Sequence, residues 1–294
     1  MAFTLSRRRG PISKQLRRLV RKELSSALDE LNGPAPDQDA IHEARKNIKT
    51  VRAVLRVVKN PLGADYRVED QRLRSAARGL SSLRDADVTL ETLGSLHGTY
   101  PSVITSRLVQ RVSRGLKIRK QRVRGHAGPI IAHARGTLAR SKKSVPNSVG
   151  QIARFKAVRS GTVRGYRKAR TALHGLSVDS DATAFHDWRK RVKDHWYHIR
   201  PFEDLHASPR RRVTTLKRLE GWLGTDHDLA ALRGIMLNGT ERLADARART
   251  LVLGGISKSQ VSLRRRALGL GHRLFNHAPK HFEGSVDMWW RGHP

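Results

Sequence analysis

Apolar residues recur at helical spacing through most of the chain. Ile12, Leu16, Leu19, Leu24, Leu28 and Leu31 predict an amphipathic helix from Ile12 to Leu31, with Gly33-Pro34 as its stop. Asp37 or Asp39 can cap a second helix that runs from Ile41 to about Lys59 and stops before Pro61. A third is expected from about Arg67 to Leu83. A short fourth follows Asp85 and ends near Gly94 to Gly98. A fifth begins after Pro101 and reaches about Gly125, and a weaker sixth lies between Pro129 and Ser141. The polar stretch Ser141 to Gly150, with Pro146 and Ser148, reads as a linker. No run of alternating β-branched residues suggests a strand, so the expected class is all-α.

The second half repeats the first. Ile41-His42-Glu43-Ala44-Arg45-Lys46 lines up with Phe185-His186-Asp187-Trp188-Arg189-Lys190. The register continues through Ile48/Val192, Lys49/Lys193, Leu55/Ile199 and Arg56/Arg200. Leu83-Arg84-Asp85-Ala86-Asp87-Val88 resembles Leu223-Gly224-Thr225-Asp226-His227-Asp228-Leu229 with one residue inserted. Ile152 to Leu176 corresponds to the first helix, Ala207 to Leu223 to the third, and Thr240 onward to the last two. The repeat is too long for a solenoid unit. It predicts two four-helix-bundle-like halves, residues 1–147 and 148–294, related by a pseudo-two-fold axis.

The polar side of the second helix is unusual. At about 100° per residue, His42, Arg45, Lys49, Arg52 and Arg56 fall within an arc of roughly 80°, with Lys46 at its margin. Ile41, Ala44, Ile48, Val51, Leu55 and Val58 occupy the opposite side. In the second half His186, Arg189, Lys193 and Arg200 share an arc, with Lys190 at the margin and Trp196 where the first copy has Arg52. A solvated helix face ordinarily mixes signs to gain i,i+4 pairs. A stripe of cations without an anion is self-repulsive. Donors one turn apart, about 5.4 Å, suit a linear polyanion, with arginine as a planar fork and lysine as a point charge. Neighbouring predicted helices add Arg18, Arg21, Arg78 and Arg218 as further candidates.

Composition sharpens this. The 294 residues carry 59 Lys and Arg against 25 Asp and Glu, a formal net charge of +34. That charge opposes compaction and points to a polyanion: nucleic acid, an anionic membrane or inorganic polyphosphate. With 38% hydrophobic residues the chain is not disordered by composition, and with no cysteine it has neither disulfides nor thiolate metal sites. The first residues lack an apolar signal region and no stretch approaches 18 apolar residues, so a cytoplasmic protein without a membrane partner is expected.

His42, Arg45, Lys46, Lys49 and Arg52, with His186, Arg189, Lys190 and Lys193 followed by Tyr197, resemble the two signature helices of the CHAD family, the conserved-histidine α-helical domain, of the form H-x-x-R-(K/V)-x-x-(K/R)-x-x-R. Asp85 and Asp87, with Asp226 and Asp228, match its L-G-x-x-R-D-x-D-V segment, and Gly271-His272-Arg273-Leu274-Phe275, Pro279-Lys280, Phe282 and a late Trp match its ending. The resemblance implies two helical halves around a basic groove or pore, binding of inorganic polyphosphate, and location on polyphosphate granules. This chain departs from the pattern at Asp194, His195 and Trp196, so its second stripe is expected to bind more weakly. An architectural DNA- or RNA-binding role on the same basic surface is the alternative, with nucleic acid otherwise a competitor.

No catalysis, cofactor or metal is expected. His42 and His186 sit among cations that lower their pKa values, and they read as added phosphate donors. Asp85 and Asp226 read as caps of following helices, free also to pair with stripe arginines. Trp188, Trp222, Trp289 and Trp290 read as packing residues. There is no phosphate-binding Gly-rich loop and no zinc-finger spacing.

Overall fold

The computed structural model describes residues 4–33, 36–238 and 246–292, and among them there is no strand. Ten α-helices follow in order: α1 (Ile12–Glu30), α2 (Gln38–Val57), α3 (Lys59–Thr99), α4 (Ser106–Arg124), α5 (Ala127–Val149), α6 (Phe155–Leu173), α7 (Ala182–Ile199), α8 (Ala207–Asn238), α9 (Ala246–Leu274) and α10 (Pro279–Arg291). The all-α expectation holds. Asp37 caps α2, its side chain accepting from the Ala40 N–H, and Asp181 caps α7 in the same way through Ala184.

Three boundaries differ from the sequence reading. The third and fourth predicted helices are one helix, α3, of 41 residues, and α8 likewise runs on past Leu223 to Asn238. Pro61 does not stop the chain, because it sits in the first turn of α3, where no intrahelical N–H bond is lost. The break comes instead at Gly63, whose φ of +53° is open to glycine at little cost. The expected linker is the last part of α5. Ser141 and Ser144 donate to Glu69, and Ser148 donates to Asp65, so the polar residues serve a helix–helix contact with α3. The predicted stop at Pro34 and start at Thr240 lie outside the described residues.

Helices α1, α2, α3 and α5 close a ring of four in the first half; α6, α7, α8 and α9 close another in the second, with α10 packed on α6. One continuous core joins both rings, with Leu24, Ile48, Leu55 and Leu80 from the first and Tyr166, Phe185, Trp188 and Phe202 from the second. A smaller core lies beyond it, where the far ends of α3 and α8 meet α4 and the start of α9 around Leu93, Ile104, Val112, Leu232, Met236 and Val252. The halves meet through α3 against α8 and through α2 against α6 and α7. That approach is close: a Cβ on Gly161 of α6 would stand 1.8 Å from the Val57 carbonyl oxygen of α2. The two signature helices are therefore brought side by side, each with its apolar face in the common core. Trp188 on α7 is fully buried; truncation there costs about 3–5 kcal/mol.

Candidate anion-binding site

α2 and α7 each bury one face and turn the other toward a shared basic centre. Arg45 and Lys49 from α2 and Arg189 and Lys193 from α7 are close enough to act on one another electrostatically. Lys49 is pushed down to about 7 by burial first, then by Lys193, Arg45 and Arg189, with Glu220 of α8 opposing. Arg45 is lowered by burial and by Arg189, with Asp85 of α3 opposing. Glu220 makes direct contact with Lys193 and lies 3.7 Å from Arg189. Burial would raise Glu220, but Lys193, Arg189 and Lys49 together hold it below the ordinary carboxylate range.

The charges do not balance. Lys49 makes no ion pair among the described residues. The Nε–H groups of Arg45 and Arg189 are buried with no acceptor. A buried donor without an acceptor costs about 1–3 kcal/mol, more when charged. Two such donors beside a lysine whose charged form is disfavoured mark a place where anionic oxygens would be stabilising.

The rest of each stripe is placed differently. Arg52 grips Asp70 of α3 through Nε and Nη2, at 2.9 and 3.2 Å. Arg56 pairs with Asp194 of α7 and stands 3.9 Å from Asp70. No carboxylate lies in the basic arc of α2 itself, yet α3 and α7 supply two. Lys46, half-buried, and Lys190, exposed, pair with Glu43 and Asp187 on their own helices. Arg200 leaves α7 for the short 3₁₀ turn that follows and lies 5.4 Å from the Trp196 ring centroid. Arg18 and Arg21 on α1 and Arg78 on α3 are exposed, as is Arg218 on α8, which covers Trp222.

His42 is half-buried in the second turn of α2. His186 faces His227 of α8, with 3.0 Å between their Nδ1 atoms and the rings stacked. Burial, then Arg189 and His186, push His227 down to about 4, and burial, Lys190 and Arg189 lower His186. Both rings are therefore neutral at pH 7, and one donates to the other. His227 was missed in the sequence. The signal was there, inside the D-H-D that aligns with Asp85-Ala86-Asp87.

The aspartates are not helix caps. Asp85 and Asp87 lie within α3, Asp226 and Asp228 within α8. Asp226 is buried, accepts from Arg264 and Gln260 of α9, and so fastens α9 to α8. Asp87 pairs with Lys120 of α4. Asp85 and Asp228 instead act on stripe arginines, Asp85 on Arg45 and Asp228 on Arg189. Burial raises the Asp228 carboxyl, while Arg189, Lys193 and Arg84 pull it down. Among the described residues no three His, Asp or Glu side chains gather as a metal site. No helix among them is long and apolar enough to cross a membrane.

Residues 12–237 match the CHAD domain family, more than half of the chain. The chain belongs to that family. The CHAD domain from the plant Ricinus communis, known from a crystal structure, superposes with a TM-score of 0.67 at 15% identity, covering 95% of this chain and 96% of that one. PptA from Streptomyces chartreusis superposes at 0.63 and 16% identity, covering 91% and 100%. At these identities the likeness is one of fold. No match was found among curated proteins. Within the CHAD fold of this chain, the signature residues that converge are Arg45, Lys49, Arg189 and Lys193.

Proposed function

We propose that this CHAD domain binds inorganic polyphosphate, without chemistry, across the cations shared by α2 and α7. One observation supports this above the others. Arg45, Lys49, Arg189 and Lys193 are held together around Glu220, which contacts Lys193 and Arg189, two guanidinium Nε–H groups lack acceptors, and Lys49 is pushed down to about 7. A run of phosphates would accept from both guanidinium groups and return Lys49 to its charged form. The side chains stand on packed helices, so little ordering remains to be done on binding.

The half-buried position of these donors favours a thin, flexible chain of phosphates over a rigid duplex. His42, His186, Lys46 and Lys190 would extend the contact at the rim. Location on polyphosphate granules would follow from the same affinity. No bond-breaking step is assigned.

The test is a competition at about 150 mM salt, where surface attraction is already screened. Labelled long-chain polyphosphate is displaced with duplex DNA matched in phosphate. Displacement only at large excess of DNA is the expected result. Equal competition would make the face a general polyanion surface and favour the nucleic-acid reading.

A further inference from the structure

A second concentration of positive charge surrounds a cavity of about 110 Å³ where the C-terminal end of α2 meets α3, α6 and α7. Arg56 and Lys59, Arg164 and Lys168 of α6, and Arg191 of α7 line it, against the single carboxylate of Asp194. On α7, Arg191, Asp194 and His198 fall within about 60° of arc, while Arg189 projects about 140–180° and Lys193 about 100–160° away from them. The cavity therefore opens on the other side of α7 from the cluster described above.

Two features set it apart from an ordinary basic patch. His198 lines the cavity, is buried, and neither ring nitrogen has a hydrogen-bond partner. Burial, with Arg56, Arg164 and Lys168 nearby, pushes His198 down to about 3, so the ring is neutral and carries one N–H in need of an acceptor. Second, the negative end of α2 is already covered, because Arg164 donates to the Arg56 and Val57 carbonyls at 2.8 and 3.0 Å. An incoming anion meets donors there, with these two carbonyls already taken. The volume admits one tetrahedral oxyanion. Tyr66 supplies a hydroxyl to the lining.

We infer that this cavity is a separate site for one compact phosphate group, held by Lys59, Arg164, Lys168 and Arg191 with His198 beneath it. The ligand chemistry is a phosphate monoanion or dianion, supplied either as free orthophosphate or as the terminal group of a chain. The site does not depend on the polyphosphate reading of the α2–α7 cluster.

The experiment uses the full chain, titrated by calorimetry with orthophosphate and separately with tripolyphosphate. Lys168 stands exposed at the mouth, so Lys168→Gln keeps the fold, and Lys59→Gln is the second variant. Each is expected to weaken binding by about tenfold, the scale of one charge-assisted hydrogen bond. Arg45→Ala with Lys49→Ala is expected to leave this event within about threefold. The ring ¹⁵N resonances of His198 in the unaltered chain should move on saturation. Orthophosphate binding that meets these conditions identifies a free ion. Binding by tripolyphosphate alone that meets them identifies a chain end. Binding indifferent to Lys168→Gln and Lys59→Gln, or unmoved His198 resonances under both ligands, overturns the site.

Discussion

Asp194 of α7 is the carboxylate partner of Arg56 on α2, a pair 138 residues apart in sequence. Burial raises the Asp194 carboxyl while Arg56, Arg191 and Arg52 pull it down. Asp194 is thus an anion that neutralises the end of the first stripe. Asp194→Asn should therefore lower stability by about 1–3 kcal/mol, since Arg56 keeps only the more distant Asp70. Polyphosphate affinity should hold or rise by a few-fold. Thermal unfolding with and without long-chain polyphosphate checks both; a loss of affinity would place Asp194 on the binding side.

The two stripes should contribute unequally. Arg189 and Lys193 share Glu220, whereas Lys49 makes no ion pair among the described residues. Arg45→Ala with Lys49→Ala is expected to weaken polyphosphate by more than about tenfold, and by more than Arg189→Ala with Lys193→Ala. The second pair should instead cost more stability, because it strands Glu220. Equal affinity losses in a titration would remove the asymmetry.

Glu220 is a competitor for the phosphates. Glu220→Gln should tighten binding by about three- to tenfold at low salt and steepen the salt dependence. Four cations engaged with a single-stranded polyanion predict a slope of log affinity on log salt near −3. A slope near zero would mean that few counterions are released and that the cluster is not engaged.

Much of this was readable beforehand. The strong amphipathic patterns at α1, α2, α6 and α7 and the cap at Asp37 follow local rules, and local rules sufficed. The continuity of α3 and α8 did not follow, because Asp85 and Asp226 look like caps until α3 and α8 are seen to run through them and α9 supplies Arg264. The serines of α5 look like a linker until Glu69 and Asp65 are in place. The stripe itself was legible as a period along one helix. Its division was not, since Asp70, Asp194 and Glu220 are brought to it by tertiary packing. Arg52 and Arg56 thus become cross-helix ties, and Arg45, Lys49, Arg189 and Lys193 are left as the centre.

Proton linkage gives affinity and stability opposite pH trends. Lys49 titrates near 7 in the free fold, and bound phosphate raises that value, so binding takes up a proton above pH 7. Affinity should fall as pH rises from about 7 to 9. Because Lys49 is depressed in the fold relative to the unfolded chain, its contribution to stability rises over the window from about 7 to 10. Lys49→Arg, charged throughout, should flatten the affinity trend. His227, near 4, stays neutral over this range. A wild-type affinity that does not change between pH 7 and 9 would contradict the assignment.

The most direct measurement is the titration of the Lys49 side chain by NMR, in the free protein and saturated with long-chain polyphosphate. Free, its midpoint should lie near 7, and bound it should return toward the ordinary lysine range near 10. An unchanged midpoint on saturation would show that the phosphates lie elsewhere, and that the cations of α2 and α7 are not the binding site.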